Sequence, residues 1–225
     1  MRRNYLAAIV QTSAPLVCAL ATTLAMSSAY AVPSNLELQL SEPTFPTATV
    51  VGTPSSVLYG GSFGTFSVSI DAGIGTPVPQ IDLGSTDISS STAGVLTVML
   101  SQTGLVSPAG MTQWLTMFSG NTSDPGSMVS LSSAVDLTDT IFGTGMPLST
   151  LSTASSLFAL SDTVAADIST TPYALTLVMT INSAGAGTFS LDGSVQPTPE
   201  PASLTLLASA LLGLGWLGRR RARQV

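Results

Sequence analysis

Two short stretches of this chain alternate apolar and polar side chains, and this alternation limits the possible folds more than any other feature. LELQL, over residues 36–40, places three leucines on one face. FSVSI, over residues 66–70, places Phe66, Val68 and Ile70 on one face and two serines on the other. A period of two is typical of a half-buried β-strand and does not suit a helix. Both stretches are therefore predicted to be strands.

Two further stretches, around Val95–Leu100 and Tyr173–Ile181, are apolar on both faces, which predicts central strands of a sandwich. Asn182 to Gly185 is predicted to turn the second of them into a closing hairpin with GTFSLDG. Further strand candidates are Val78–Leu83, Trp114–Phe118, Met128–Leu131 and Leu157–Leu160, separated by turn formers at Gly60-Gly61, Asp124-Pro125-Gly126 and Gly143-Thr144-Gly145.

Strands at spacings of roughly ten residues predict an all-β fold, an antiparallel β-sandwich of the jelly-roll or immunoglobulin-like kind. The alternative is a largely disordered stalk rich in serine and threonine. Regular alternation of Leu, Val, Ile and Phe favours the sandwich, because such a pattern supplies a face that can be buried.

Charge is distributed very unevenly along the chain. All six basic residues are arginines at positions 2, 3, 219, 220, 221 and 223, and there is no histidine. Eleven of the twelve carboxylates lie between Glu37 and Asp192, with no cation among them. Such a region repels phosphate backbones, so nucleic acid is excluded as a partner.

The same composition excludes most catalytic chemistry in the middle of the chain. Nucleophilic sites usually need histidine, lysine or cysteine, and zinc sites need similar ligands, but Cys18 is the one cysteine and lies near the start. We therefore expect no enzyme activity and no cofactor. The alternative is a carbohydrate-processing enzyme that uses a carboxylate pair drawn from Glu37, Glu42, Asp82 and Asp87.

Calcium is the ion that these carboxylates suit best, although no EF-hand spacing occurs. Asp82 and Asp87 flank LGST, and Asp136 and Asp139 flank LT, so each pair is a candidate to supply two oxygens from one loop. The competing interpretation is that these aspartates initiate turns through side-chain hydrogen bonds, and the sequence favours it.

Two aromatic residues at strand positions, Trp114 and Tyr173, are of a type that can stack on a sugar ring. Core packing is the commoner arrangement for such residues, and it is the one we expect here.

The first 31 residues have the features of a removable export signal. Arg2 and Arg3 precede an apolar segment, and Ala29-Tyr30-Ala31 is a small-residue cleavage site. Cys18 lies inside this segment, so the processed protein is expected to contain no disulfide.

Residues 202–218 are uncharged and form a candidate transmembrane helix of about 25 Å. Trp216 lies near its end, and four arginines follow. This order is typical of a span whose cationic end stays in the cytoplasm, so the acidic part of the chain is expected outside. The arginines are Arg219, Arg220, Arg221 and Arg223.

Pro199-Glu200-Pro201, the Leu/Gly/Ala-rich span and the arginine cluster, in this order, resemble the bacterial PEP-CTERM sorting domain. The resemblance implies recognition by an exosortase, an integral-membrane enzyme of transpeptidase type, with removal of the tail and delivery of the body to the exterior. It covers some 27 residues.

Three regions are therefore predicted: a signal peptide over 1–31, an exported β-sandwich over 32–196 and a sorting segment over 197–225. The expected function is non-enzymatic, structural or adhesive, at the cell surface or in the matrix, with exopolysaccharide as a partner of the serine- and threonine-rich surface. A soluble ligand-binding module is a further alternative.

Overall fold

The computed structural model describes residues 35–75 and 79–198, and these residues form β-strands joined by turns and loops. No helix long and apolar enough to cross a membrane occurs within these two ranges. The strands in chain order are β1 Leu36–Glu42, β2 Phe45–Val51, β3 Ser56–Phe63, β4 Phe66–Gly75, β5 Gln80–Ser90, β6 Gly94–Leu105, β7 Gly110–Thr122, β8 Met128–Asp136, β9 Met146–Thr153, β10 Leu157–Ile168, β11 Tyr173–Ser183 and β12 Gly187–Thr198.

The strands form two six-stranded antiparallel sheets. The first sheet has the order β2-β1-β6-β11-β8-β9, and the second has the order β10-β7-β12-β5-β4-β3. Their inner faces share one hydrophobic core. The prediction of an all-β, antiparallel architecture is therefore confirmed, whereas the predicted signal and transmembrane helices lie outside the described residues.

Alternation along the strands fills this core as the sequence predicts. Leu36, Leu38 and Leu40 are fully buried, and Phe66 and Ile70 are 2% exposed. The two stretches that are apolar on both faces, β6 and β11, are the two central strands of the first sheet. Outer-face residues of these strands, such as the paired Met99 and Val178, are half-buried, because side chains on the neighbouring strands cover them in part.

Trp114 and Tyr173 lie in the core with no exposed surface, and their rings pack edge to face with centroids 6.4 Å apart. The Tyr173 hydroxyl donates a hydrogen bond of 2.8 Å to the carbonyl of Ser107, and burial raises the pKa of that hydroxyl. The core interpretation of these two aromatics is confirmed, and neither can serve as an exposed sugar platform.

Three strands were missing from the sequence-based prediction, namely β2, β3 and β9. Each is one of the four edge strands of the two sheets, so each has a neighbour on one side only and needs little apolar patterning. The predicted turn at Gly60-Gly61 is wrong, because both glycines lie inside β3 and pair with Ser69 and Val68.

The predicted closing hairpin is also wrong. β11 belongs to the first sheet and β12 to the second, so the turn after Ser183 crosses from one sheet to the other. Buried Asp124 holds this crossing: its Oδ2 accepts hydrogen bonds from Ser183 Oγ at 2.8 Å, Ala184 N at 2.9 Å and Gly185 N at 3.2 Å. The turn signal was correct, but a turn signal alone does not show whether the flanking strands pair.

Candidate functional site

The outer face of the second sheet carries aligned rows of hydroxyl groups. Ser67 of β4 pairs with Ser89 of β5, and Ser89 pairs with Thr188 of β12. In the next row, Ser69 pairs with Asp87, which in turn pairs with Ser190. We call these residues the hydroxyl face: Ser67, Ser69, Asp87, Ser89, Thr188 and Ser190.

All six side chains of the hydroxyl face are exposed. Neighbours across the strands are about 4.8 Å apart, and neighbours along a strand are about 6.6 Å apart, as in any sheet. They line a shallow cleft of about 330 Å³. Thr188 Oγ1 lies 2.9 Å from Ser123 Oγ, but no side-chain hydrogen bond joins the other five to another described residue. Their hydrogen-bonding groups are therefore free for solvent or a ligand.

Three carboxylates lie beside the hydroxyl face. Asp71 and Asp82 line a second cleft of about 400 Å³ together with Gln80 and Ser85. Asp192 follows Leu191 at a register shift of β12. We call Asp71, Asp82 and Asp192 the acidic cluster.

Asp82 is the most perturbed member of the acidic cluster. Its Oδ1 atom is buried and has no hydrogen-bond partner among the described residues. Burial, and secondly the negative charge of Asp192, raises the pKa of Asp82. Partial desolvation also raises the pKa of Asp192, although its side chain is largely exposed. A proton is therefore held at Asp82 to a higher pH than at an ordinary aspartate.

Other carboxylates are bound to donors of the protein itself. Buried Glu42 accepts hydrogen bonds from Thr65 N at 3.0 Å and Thr65 Oγ1 at 2.8 Å. Asp162 of β10 accepts one of 2.9 Å from Ser149 of β9, which links the edges of the two sheets. No cation occurs between residues 4 and 218, so these carboxylates and Asp124 have no ion-pair partner in this part of the chain. Hydrogen bonds from neutral donors stabilise them instead.

Asp136 and Asp139, one candidate calcium pair, cap the loop that follows β8. Asp136 accepts hydrogen bonds from the Thr138 hydroxyl and backbone, and the Thr138 hydroxyl lowers the pKa of Asp136 most. Asp139 has a φ of 56° and accepts a hydrogen bond of 2.7 Å from Gly104 N. The Asp136 contacts are the turn-forming interactions that the sequence favoured over calcium binding, whereas the Asp139 contact joins the loop to β6.

Asp82 and Asp87, the other candidate pair, lie within strand β5 and not in a loop. The loop placement was wrong because LGST contains a register shift inside the strand and does not end it. Within residues 35–75 and 79–198, no group of three or more His, Cys, Asp or Glu side chains is placed to hold a metal ion.

The four candidate acids for glycoside hydrolysis are divided between two surfaces. Glu37 lies on the outer side of the first sheet, and Asp82 and Asp87 lie on the outer side of the second. Glu42 is bound to Thr65. The core separates Glu37 from both aspartates, so the structure does not bring these groups together.

The amino-acid sequence alone does not predict the hydroxyl face. Alternation in β4 shows that Ser67 and Ser69 share a face, but their alignment with β12 depends on register, including shifts at Asp71/Gly73 and Leu191/Gly193. The signal cleavage residues Ala29 and Ala31, the tripeptide Pro199-Glu200-Pro201 and the arginines at 219–223 lie outside the described residues.

Comparison with solved structures finds distant likenesses. A carbohydrate-binding module from Cellvibrio mixtus lichenase 5A, solved with cellotriose, is 10% identical, with 64% of this chain and 92% of the module covered and a TM-score of 0.30. TmCBM61, solved with β-1,4-galactotriose, is 13% identical, with 62% of this chain and 92% of TmCBM61 covered and a TM-score of 0.30. The enzymatically active domain of bacteriophage CBA120 tailspike protein 4 is 14% identical, with 64% of this chain and 21% of the tailspike chain covered and a TM-score of 0.32. At these values the likeness does not bear on function.

No curated protein matches the chain. A family model does match: that of the PEP-CTERM protein-sorting motif, over residues 197–221. The matched range contains the tripeptide, the uncharged segment and three of the arginines that carry the resemblance seen in the sequence. The chain therefore carries a PEP-CTERM protein-sorting motif, the mark of an exported protein that is sorted by an exosortase.

Proposed function

We propose that residues 32–196 form a non-enzymatic body of structural or adhesive function, whose hydroxyl face binds neutral polysaccharide outside the cell. The sorting motif supports an extracellular location. The observation that carries the binding proposal is the set of exposed, aligned side chains of the hydroxyl face, five of which make no side-chain hydrogen bond to another described residue.

The proposed route begins with cleavage after Ala31 and continues with a membrane-anchored precursor. Residues 202–218 span the membrane, and the four arginines remain on the cytoplasmic side. The exosortase recognises Pro199-Glu200-Pro201 and releases the body to the surface or the matrix. The proposal rests on the motif match and on the order of charges in the sequence.

The negative charge of the body favours neutral polysaccharides over acidic ones. The body carries eleven carboxylates and no cation, so a polymer of uronic acids is repelled. A neutral polymer meets no such repulsion and can exchange hydrogen bonds with serine and threonine hydroxyls, which both donate and accept. Each contact is weak, but a repeating polymer can make many of them at once, which raises the overall affinity.

The alternative is a carbohydrate-processing enzyme, and the acidic cluster is the observation that favours it. A carboxyl group that keeps its proton beside a second carboxylate suits a general acid, and the pKa of Asp82 is raised partly by Asp192. The described aromatic side chains near the cluster are few, and this weighs against tight binding of a sugar in the cleft.

Replacement of four serines tests the binding proposal. In the variant Ser67→Ala, Ser69→Ala, Ser89→Ala and Ser190→Ala, we expect retention on the neutral exopolysaccharide of the producing cell to fall about tenfold or more, since each lost hydrogen bond weakens binding. The control replaces four serines on the outer side of the first sheet, three of them half-buried and one exposed, and should bind as the wild type does: Ser41, Ser130, Ser132 and Ser152.

Incubation of the wild-type protein with the same exopolysaccharide distinguishes an enzyme from a binding protein. Release of reducing ends by the wild type, abolished by Asp82→Asn, would refute the non-enzymatic proposal. Equal loss of retention in both serine variants would show that the hydroxyl face is not the binding surface.

A further inference from the structure

The sorting motif begins inside the folded sheet. The match starts at residue 197, whereas β12 continues to Thr198. Pro197 is buried and pairs with Trp114 of β7. Thr198 pairs with Gln113, and its Oγ1 donates a hydrogen bond of 3.2 Å to the Gln113 carbonyl. The described structure therefore leaves no linker between the body and the tripeptide that starts at Pro199.

The end of β12 protects the core of the body. Pairing with β5 ends at Val195 opposite Ile81, and residues 196–198 pair with β7. Directly opposed residues of an antiparallel pair share a face, so Pro197 lies beside Trp114 on the inner side of the sheet. Trp114 has no exposed surface. Loss of residues 196–198 would remove the strand segment next to this indole.

Both ends of the described chain lie at the same end of the sandwich. The Asn35 carbonyl accepts a hydrogen bond of 3.1 Å from Thr103 near the end of β6, and Thr198 lies near the start of β7. Residues 199–201 span at most about 11 Å when fully extended. If residues 202–218 cross the membrane, this end of the sandwich faces the bilayer.

We infer that the peptide bond cut during sorting lies after Thr198, so that the released body keeps the whole of β12. This inference rests on the proposed exosortase processing. A bond inside β12 is held by ladder hydrogen bonds and becomes available only when the strand opens, and opening uncovers Trp114. A bond after Thr198 can be cut with the described sheet intact.

The reaction is an acyl transfer. The carbonyl carbon of the cut bond leaves its amide nitrogen and bonds to the oxygen of water or to the nitrogen of an acceptor amine. The departing nitrogen takes up the proton released by that water or amine and becomes the new amino terminus of the tail. The new carboxyl end of the body is then a free acid or an amide.

Mass spectrometry of the body released from cells that express the full chain and an exosortase tests this inference. We expect a terminal peptide that contains Thr198. A body that ends before Thr198 overturns the inference while leaving exosortase processing in place. A released protein that still contains residues 202–221 refutes both the inference and the proposed processing, because the tail has not been removed.

Fluorescence supplies a second readout. Trp114 and Trp216 are the two tryptophans of the chain, so a body without its tail reports on Trp114 alone. We expect the blue-shifted emission of a buried indole. Red-shifted emission from the released body would indicate that the end of β12 has been lost, and would contradict the inference.

Discussion

The carboxylates at the two ends of the sandwich differ from those on the outer face of its second sheet. At the ends, Asp124 and Asp136 accept several hydrogen bonds from backbone and hydroxyl donors. On the outer face, Asp87 has no side-chain partner among the described residues, and one oxygen of Asp82 is buried without one. In a region with no cations, the first group holds the fold together, whereas on the outer face the exposed carboxylate of Asp87 remains available to solvent or a ligand.

The largest effect on stability is expected at Asp124. Asp124→Ala removes the acceptor of three hydrogen bonds at the crossing between the sheets and leaves donors unpaired, which should cost about 2–4 kcal/mol of unfolding free energy. Urea unfolding of the purified protein measures this loss. A midpoint unchanged from the wild type would show that Asp124 does not hold the crossing.

A smaller loss is expected for Glu42→Gln. The amide keeps one acceptor oxygen but places an NH₂ group against one of the two donors of Thr65, so we expect about 1–2 kcal/mol of destabilisation. The same unfolding experiment measures it. Thr65→Val serves as the partner variant, and the double variant should lose less than the sum of the two single losses. Full additivity would contradict the contact.

Asp82 and Asp136 are expected to change the pH dependence of stability with opposite signs. The pKa of Asp82 is raised above its ordinary value of 3.8 in the folded state, so its folded form binds more protons and stability falls as pH rises from 3.8 through the folded pKa. The pKa of Asp136 is lowered, so its contribution is present above 3.8 and is lost as pH falls through the folded pKa.

Unfolding midpoints between about pH 3 and pH 7 test these signs. Asp82→Asn should remove the decrease at rising pH and leave the protein more stable near neutrality. Asp136→Asn should remove the loss at falling pH and leave the protein less stable near neutrality. If the unfolding midpoints of the two variants change with pH in the same way, the two groups of carboxylates do not differ as proposed.

The smallest effect is expected for Asp87→Asn. The side chain is exposed and makes no hydrogen bond to a described residue, so the unfolding free energy should change by less than about 0.5 kcal/mol. This variant is the stability control for Asp124→Ala. A loss above about 1 kcal/mol would show that the hydroxyl face contributes to folding.

Alternation predicted the strands whose inner face is regularly apolar, such as β1 and β4, and runs that are apolar on both faces predicted the central strands β6 and β11. Alternation could not predict every strand. It could not predict edge strand β3, because Gly60-Gly61 is as compatible with a turn as with an exposed strand. The hydroxyl face was beyond prediction for a different reason. It depends on which residues of three separate strands align, and the register shifts that decide this leave no mark in a single sequence.

Binding to two matched polysaccharides tests the central claim most directly. The processed protein, released by cells that express the full chain, is sedimented at low ionic strength with an insoluble neutral polysaccharide and, separately, with an insoluble uronate polymer of similar length. Because the body has carboxylates and no cation, it should bind the neutral polymer and remain in solution with the uronate polymer. Equal binding to both, or preference for the uronate polymer, would contradict the account.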